Sequence, residues 1–557
     1  MNFVYFIALV GVLIFVHELG HFVWAKAFGV KVLRFSLGFG PRIAGFRVGE
    51  TDYVVAALPL GGYVRMLGEG GDDPIEEGDE GRSFPEQALW QRIIIVIGGP
   101  AMNLLFPVLL FFVVFLGDRW QTPATIGTVI EGGAAAEAGL EAGARVVEAD
   151  GRSIRSYYEL ARLIGSHAEQ ELELVVEDRQ GEERRVRVTP DRAREPRELD
   201  LVQEVGRIGI LPHFPLAIVG LADPEGPAAV AGLATFDRVI AAGRQPVDRW
   251  IDLSDALDAN PGATLPVTFL RPMEVAGSLG GLAEVDVYDP RVTQLTPDPG
   301  RGEGPERAGL ELADLYVSHV LRDAPELAAG LRPRDRIRRL DGEEVESWLH
   351  LERSLLAGGL RPHRLAWTRG DQRHEAEVRL ATLPGDPALD RAPQPVLGMR
   401  HWVPTRVDEA VPNPRPVGYA MDLALRRSWE MVELTVVSVV RLLQGRLSVR
   451  TIGGPISILE VTGQAAAEGA LNFLAVMAFV SINLGLINLL PVPLLDGGHL
   501  LFFLIEAVAR RPLSLRVRQY ASAAGLTVLV LLVVLSFKND IERRWPDIVE
   551  TLQSAEP

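Results

Sequence analysis

Two histidines and a glutamate set the chemistry to be explained. His17 and His21 stand four residues apart in FVHELGHFVWAKAFG, with Glu18 beside the first. On a helix, residues i and i+4 share a face, so both imidazoles can hold one metal ion. Glu18 lies about 100° round the helix from His17, near enough to reach a water on that metal. Neutral imidazole suits Zn²⁺, the metal brings the water's pKa toward ~7, and a carboxylate can take the proton. The chemistry is hydrolysis. Three protein ligands are expected at such a site. The chain has no cysteine, so the third must be histidine or carboxylate. Asp496, in INLLPVPLLDGGH, is the candidate, and His499 in the same segment is the alternative. Alone, Asp496 reads as a helix cap and the histidines as a polar packing face. Polar groups inside apolar segments are costly, however, and mark function.

The elements that must position these residues are apolar. Four stretches approach the ~20 residues that cross a bilayer: 3–25, 93–116, 471–491 and 520–537. The first lacks a basic leader and a small-residue cleavage site, so it reads as a retained span rather than a signal peptide. Lys26, Lys31, Arg34, Arg42 and Arg47 follow span one, and Arg510, Arg511, Arg516 and Arg518 separate spans three and four. The positive-inside rule makes both loops cytoplasmic. Both termini and the long insert are then outside. HELGH falls at the cytoplasmic end of span one, and Asp496 follows span three on the same side. Pro491 and Pro493 end a helix there, and Gly497 and Gly498 are expected to let the backbone turn. Irregular backbone at this depth is tolerated where protein or a water-filled cavity surrounds it. The segment GYAMDLALRRSWEMVELTVVSVVRLLQG, within 417–470, reads as an amphipathic helix, surface-lying or packed in the bundle.

Between spans two and three the chain turns polar. The formal net charge of -17 is spread over this insert and the loops, and no basic face suggests nucleic acid as a partner. AGL triplets at Ala138, Ala231 and Ala329 begin similar segments, so a domain is repeated. Each copy continues into a helical stretch and two alternating, half-buried strands. The expected copies are 120–190, 205–297 and 305–384, with a linker over 385–416. TIGTV and RIGIL are the candidate groove strands of the first two copies. The second copy has ATFDRVI, without the usual glycine in that turn. The pattern resembles the PDZ domains of bacterial envelope proteases, whose fold adds a peptide as an extra strand at a sheet edge. A spacer or size filter is the competing role.

HELGH paired with NLLPVPLLDGGH resembles the site-2 protease family, the intramembrane zinc metalloproteases. GFGP at Gly38, LPLGGYVRM at Leu58, GGPAMN at Gly98 and the insert resemble its bacterial sigma-E-regulator branch. Three copies in the insert differ from the two usual there. The resemblance implies a multi-span α-helical membrane protein with four transmembrane helices. It adds a membrane-associated β-hairpin over 32–66 and inserted tandem PDZ-like α+β domains. The membrane core is then 1–118 and 471–557. It implies Zn²⁺ held by His17, His21 and Asp496, Glu18 as general base, and Asn488 as a substrate-holding residue. The implied setting is the bacterial inner membrane. The implied substrates are single-span membrane proteins, an anti-sigma factor above all and signal-peptide remnants besides, with peptide C-termini at the PDZ grooves. Two other classes of protein account for less of the sequence. A non-catalytic PDZ scaffold leaves His17, Glu18 and Asp496 without a role. A metal transporter leaves Glu18 and the insert without one.

Overall fold

The computed structural model describes residues 2–69, 78–196, 202–273, 287–383, 394–511 and 513–554. The start of the expected linker, to residue 393, and of the strand AEVDVYDP, to residue 286, lie outside them. The chain divides into two units, one built from Met1–Arg119 and Asn413–Pro557, the other from Trp120–Pro387 and Arg391–Pro412.

The first unit holds helices α1 (Asn2–Ala27), α2 (Leu89–Phe115), α3 (Pro416–Leu443), α4 (Pro455–Glu468), α5 (Ala470–Asn488), α6 (Asp496–Ala509) and α7 (Leu515–Ser554). Among the described residues, α1, α2, α5 and Arg516–Arg544 of α7 are long and apolar enough to cross a membrane. Leu9 and Leu13 of α1, Leu110 and Phe111 of α2, and Met477 and Ala478 of α5 form one core, joined by Ala424 of α3. The amphipathic segment is thus packed in the bundle. Its buried residues are Ala420, Ala424 and Ser428, one per turn, small enough to bring helices close. The same device joins α1 to α2, where a methyl group on Gly20 would meet the Gly98 carbonyl oxygen at 2.1 Å.

Strands β1 (Val32–Val48) and β2 (Thr51–Met66) form more than the expected hairpin. Arg34–Leu37 is flanked by Arg65–Gly62 on one side and Asp52–Val55 on the other, while Ala44–Val48 pairs with Val55–Thr51. Two long strands thereby make four neighbouring segments. Gly38, Gly40 and Gly61 have φ of +95°, +90° and +143°, a region L-residues rarely enter, and they let the strands fold back. Phe35, Val64 and Met66 pack with Ala25 of α1 and Ile95 of α2. At the turn, Glu50 accepts from Lys26 at 2.7 Å and from Arg82 at 2.9 and 2.8 Å. Burial opposes its charge, but these two cations outweigh it and hold its carboxyl below the usual range.

The second unit contains three hydrophobic cores. Each surrounds a four-stranded sheet and one longer helix: Tyr157–Gly165, Trp250–Asp258 or Trp348–Gly358. The cores differ from the expected copies at their ends. Ile208 and Ile210 of RIGIL, expected to open the second copy, are buried in the first core. Met399, expected in the linker, belongs to the third. The cause is a closing strand that returns to the first strand of its own copy: Ile210 pairs with Val129, Leu310 with Leu221 and Met399 with Val320. The copies expected to end at 190, 297 and 384 therefore stop short, and the second core runs from Ala217 to Leu310, past the expected start of the third copy at 305. The turn without glycine keeps its register. Ile126, Val219 and Val317 donate to the carbonyls of Ala144, Asp237 and Asp335, and Gly143, Phe236 and Arg334 stand one residue earlier with φ of +91°, +76° and +72°.

Candidate metal centre

His17 and His21 project from adjacent turns of α1, and Asp496 is the first residue of α6. The loop between α5 and α6 carries Pro491 and Pro493, and its tight turn is made by Leu494, at φ +103°. Gly497 and Gly498 do something other than the expected turning. They lie in the first turn of α6, where a methyl group would meet the Leu490 carbonyl oxygen at 2.2 Å and the Val492 carbonyl oxygen at 2.5 Å. Their missing side chains let α6 fold down onto the preceding loop. Gly525 of α7 presses on the same loop, against the Pro493 carbonyl.

This packing brings the three residues together. His17 Nε2 lies 3.1 Å from Asp496 Oδ2, His21 Nε2 lies 3.5 Å from Oδ1, and the two Nε2 atoms are 3.3 Å apart. One ligand atom from each falls within 4.8 Å of the others. His499 is not in this cluster; its ring stands edge-on to Phe502. Two imidazole nitrogens and a carboxylate match the donor set of catalytic zinc sites, which keep a further position for water. His21 Nδ1 is 2.9 Å from the Ile95 carbonyl oxygen. That oxygen can only accept, so the ring donates through Nδ1, and Nε2 is the nitrogen turned toward Asp496.

Glu18 is buried next to His17, and Gly62 of β2 packs onto it, a methyl there lying 3.0 Å from Glu18 Cγ. Asn488, at the end of α5, places Nδ2 3.5 Å from both ring nitrogens of His17. Sequence reasoning missed three further contributors. Gly99 lies against both histidines, Asn103 places Nδ2 3.2 Å from His17 Nδ1, and Arg92 binds Glu506 of α6 at 2.8 Å. The first two lie in GGPAMN. Its small-residue pair followed by a lone amide in an apolar span was the available signal.

Residues 5–532 match peptidase family M50, and the chain belongs to that family. It is 29% identical over 552 residues to a Vibrio cholerae protein named as a zinc metalloprotease, covering 97% of this chain and 98% of that one. It is 27% identical over 544 residues to the regulator of sigma-E protease RseP of Escherichia coli, covering 97% and 98%. It is 28% identical over 543 residues to the protease RseP of Yersinia pestis, with the same coverage. The protein is an intramembrane zinc metalloendopeptidase.

Proposed function

We propose that His17, His21 and Asp496 hold the zinc ion, that Glu18 is the general base, and that the substrates are single-span membrane proteins. The observation that carries this reading is the meeting of two Nε2 atoms with the Asp496 carboxylate at 3.1 and 3.5 Å, beside a buried glutamate. When bound, zinc supplies a Lewis acid that polarises the scissile carbonyl and acidifies water. Glu18 takes the proton from the attacking water and passes it to the departing amide nitrogen. Its burial beside Gly62 keeps bulk water from competing for it.

A helical substrate hides its peptide bonds in intrahelical hydrogen bonds, so it must be unwound. Gly62–Arg65 is a sheet edge among the described residues, paired on one side with Arg34–Leu37. A substrate strand added to that edge runs past Glu18 in extended form. Asn488, beside His17, holds its backbone. Relatives named as regulators of sigma-E fit the substrate that the family resemblance implies, an anti-sigma factor already trimmed by another protease. The setting is the bacterial inner membrane, with both termini and the PDZ-like insert on the extracytoplasmic face, where the insert excludes bulky proteins or receives peptide C-termini.

The test uses purified protein and one tagged single-span substrate. Glu18→Gln should retain zinc and lose cleavage. Unchanged cleavage in that variant removes the mechanism.

A further inference from the structure

Helix α4 starts without a cap of its own. Its N-cap is Gly454, which has no side chain, and Pro455 follows at the first helical position. The N–H groups that open a helix need an acceptor, and here the acceptor comes from another helix. Asp540 of α7, 1% exposed, accepts from the Gly454 and Ile456 amides at 2.9 Å, from the Ser457 amide at 3.2 Å and from the Ser457 hydroxyl. A buried carboxylate without such partners is costly, so these donors converging on one side chain make a specific joint. Its neighbours extend it. Asn539 donates to the carbonyls of Val449 and Ile452 at 2.8 and 3.1 Å, and Arg543 donates to that of Arg450 at 2.6 Å.

Both sides of this joint lead to the metal centre. α4 is seated on α1, the helix of the two histidines: a methyl group on Gly463 would meet Asn2 Cγ at 2.3 Å. α7 backs the loop that leads into Asp496: a methyl group on Gly525 would meet the Pro493 carbonyl oxygen at 2.0 Å. Between Gly525 and Asp540, the side chains of Leu526, Val530, Leu531 and Val534 are each more than half exposed. α7 is therefore located by these two contacts more than by packing along its length. They stand about 22 Å apart along the axis of one unbroken helix.

We propose that Asp540 is a positioning residue for the metal centre. By holding the start of α4 it fixes α7 along its axis relative to α1. Through Gly525, α7 then sets the height at which the loop delivers Asp496 to His17 and His21. Without the joint α7 is free to slide along its axis, and the Pro493 carbonyl loses its backing. The proposal rests on Asp496 being a zinc ligand.

The experiment uses the full chain in detergent. Asp540→Asn keeps the size of the side chain and removes one of its two acceptor oxygens. In metal-stripped protein, hydrogen exchange at the loop amides of Val492 and Leu495, which bond to the Leu490 and Val492 carbonyls, should quicken several-fold. After loading with Co²⁺, release to a chelator should be roughly 10–100-fold faster, the range for losing a group that orients a metal ligand. Phe111→Leu, which underfills the core shared by α1, α2 and α5, is the stability control and should lower the thermal midpoint without either change. Gly525→Ala displaces the loop directly. Sites this far apart ordinarily multiply their effects, but here the double variant should release Co²⁺ little faster than Gly525→Ala alone. Unchanged exchange and release in Asp540→Asn, the same changes in Phe111→Leu, or a double variant equal to the product of the singles overturns the proposal. If Gly525→Ala fails to fold, Asp540→Asn against Phe111→Leu still decides. Asp496→Asn is the separate control: Co²⁺ held there as tightly as in the natural protein overturns the ligand assignment itself, whatever Asp540 does.

Discussion

Gly99 of α2 lies directly against His21 of α1: a methyl group on Gly99 would stand 2.3 Å from His21 Nε2 and 2.9 Å from His17 Cε1. Those atoms cannot share that space, so the histidine pair holds its position because α2 has no side chain there. Gly99→Ala must displace the ring that ligates. A shift of about 1 Å in such a group costs roughly 100-fold in rate. Cleavage should fall by about that factor while the helical circular dichroism stays unchanged.

The ion pair between Arg92 and Glu506 ties α2 to the helix that begins with Asp496. Both side chains are mostly buried, Arg518 approaches the same carboxylate at 3.9 Å, and Arg92 lies 5.1 Å over the Phe503 ring. Removing one partner strands the other in a poorly solvated place, which costs about 3 kcal/mol or more at fully buried sites. Glu506→Gln should lower the thermal midpoint and weaken zinc retention together. Replacing both Arg92 and Glu506 by methionine should recover much of the midpoint, because the charge that remains, Arg518, is 41% exposed and stays solvated. Equal losses in the single and double variants speak against the strut.

The Glu50 carboxylate joins the end of α1 to the β1–β2 turn through Lys26 and Arg82. Its depressed pKa means the charged form is favoured when folded. The stabilisation is present above the ordinary carboxylate range and is lost as pH falls through the lower, folded value. Hydrogen exchange at the turn should quicken only in acid for the natural protein. Glu50→Gln should show the quicker exchange already at neutral pH.

Arg334 is exposed and adopts φ +72°, where the first copy has a glycine. A left-handed conformation costs an L-residue roughly 1–2 kcal/mol, and the entropy of the added glycine returns about half of that. Arg334→Gly should stabilise the third PDZ-like module by about 0.5–1 kcal/mol, read as a rise in denaturant midpoint at constant slope. The same change at Phe236 should not help, because that ring is buried with Ile218 and Tyr316.

What was legible in the sequence follows from the range of the interactions. The i, i+4 spacing of His17 and His21 is local, and so is the apolar length of α1, α2 and α5. The prolines of the LPVPLLDGG segment announce a broken helix in the same local way. The closing strands of the PDZ-like copies were misplaced because Ile210–Val129 and Met399–Val320 pair across most of a module. No alternation within RIGIL says which copy it joins. The roles of Gly99, Gly497 and Gly498 depend on how closely another piece of backbone passes, which periodicity does not carry. Asn103 was hidden for the same reason: its partner is 86 residues away.

The most direct test of the account is zinc content per chain after purification, in the natural protein and in Asp496→Asn, Glu18→Gln and His499→Ala. One zinc per chain is expected in the natural protein, Glu18→Gln and His499→Ala, and loss of most of it in Asp496→Asn. Full zinc in Asp496→Asn together with loss in His499→Ala contradicts it.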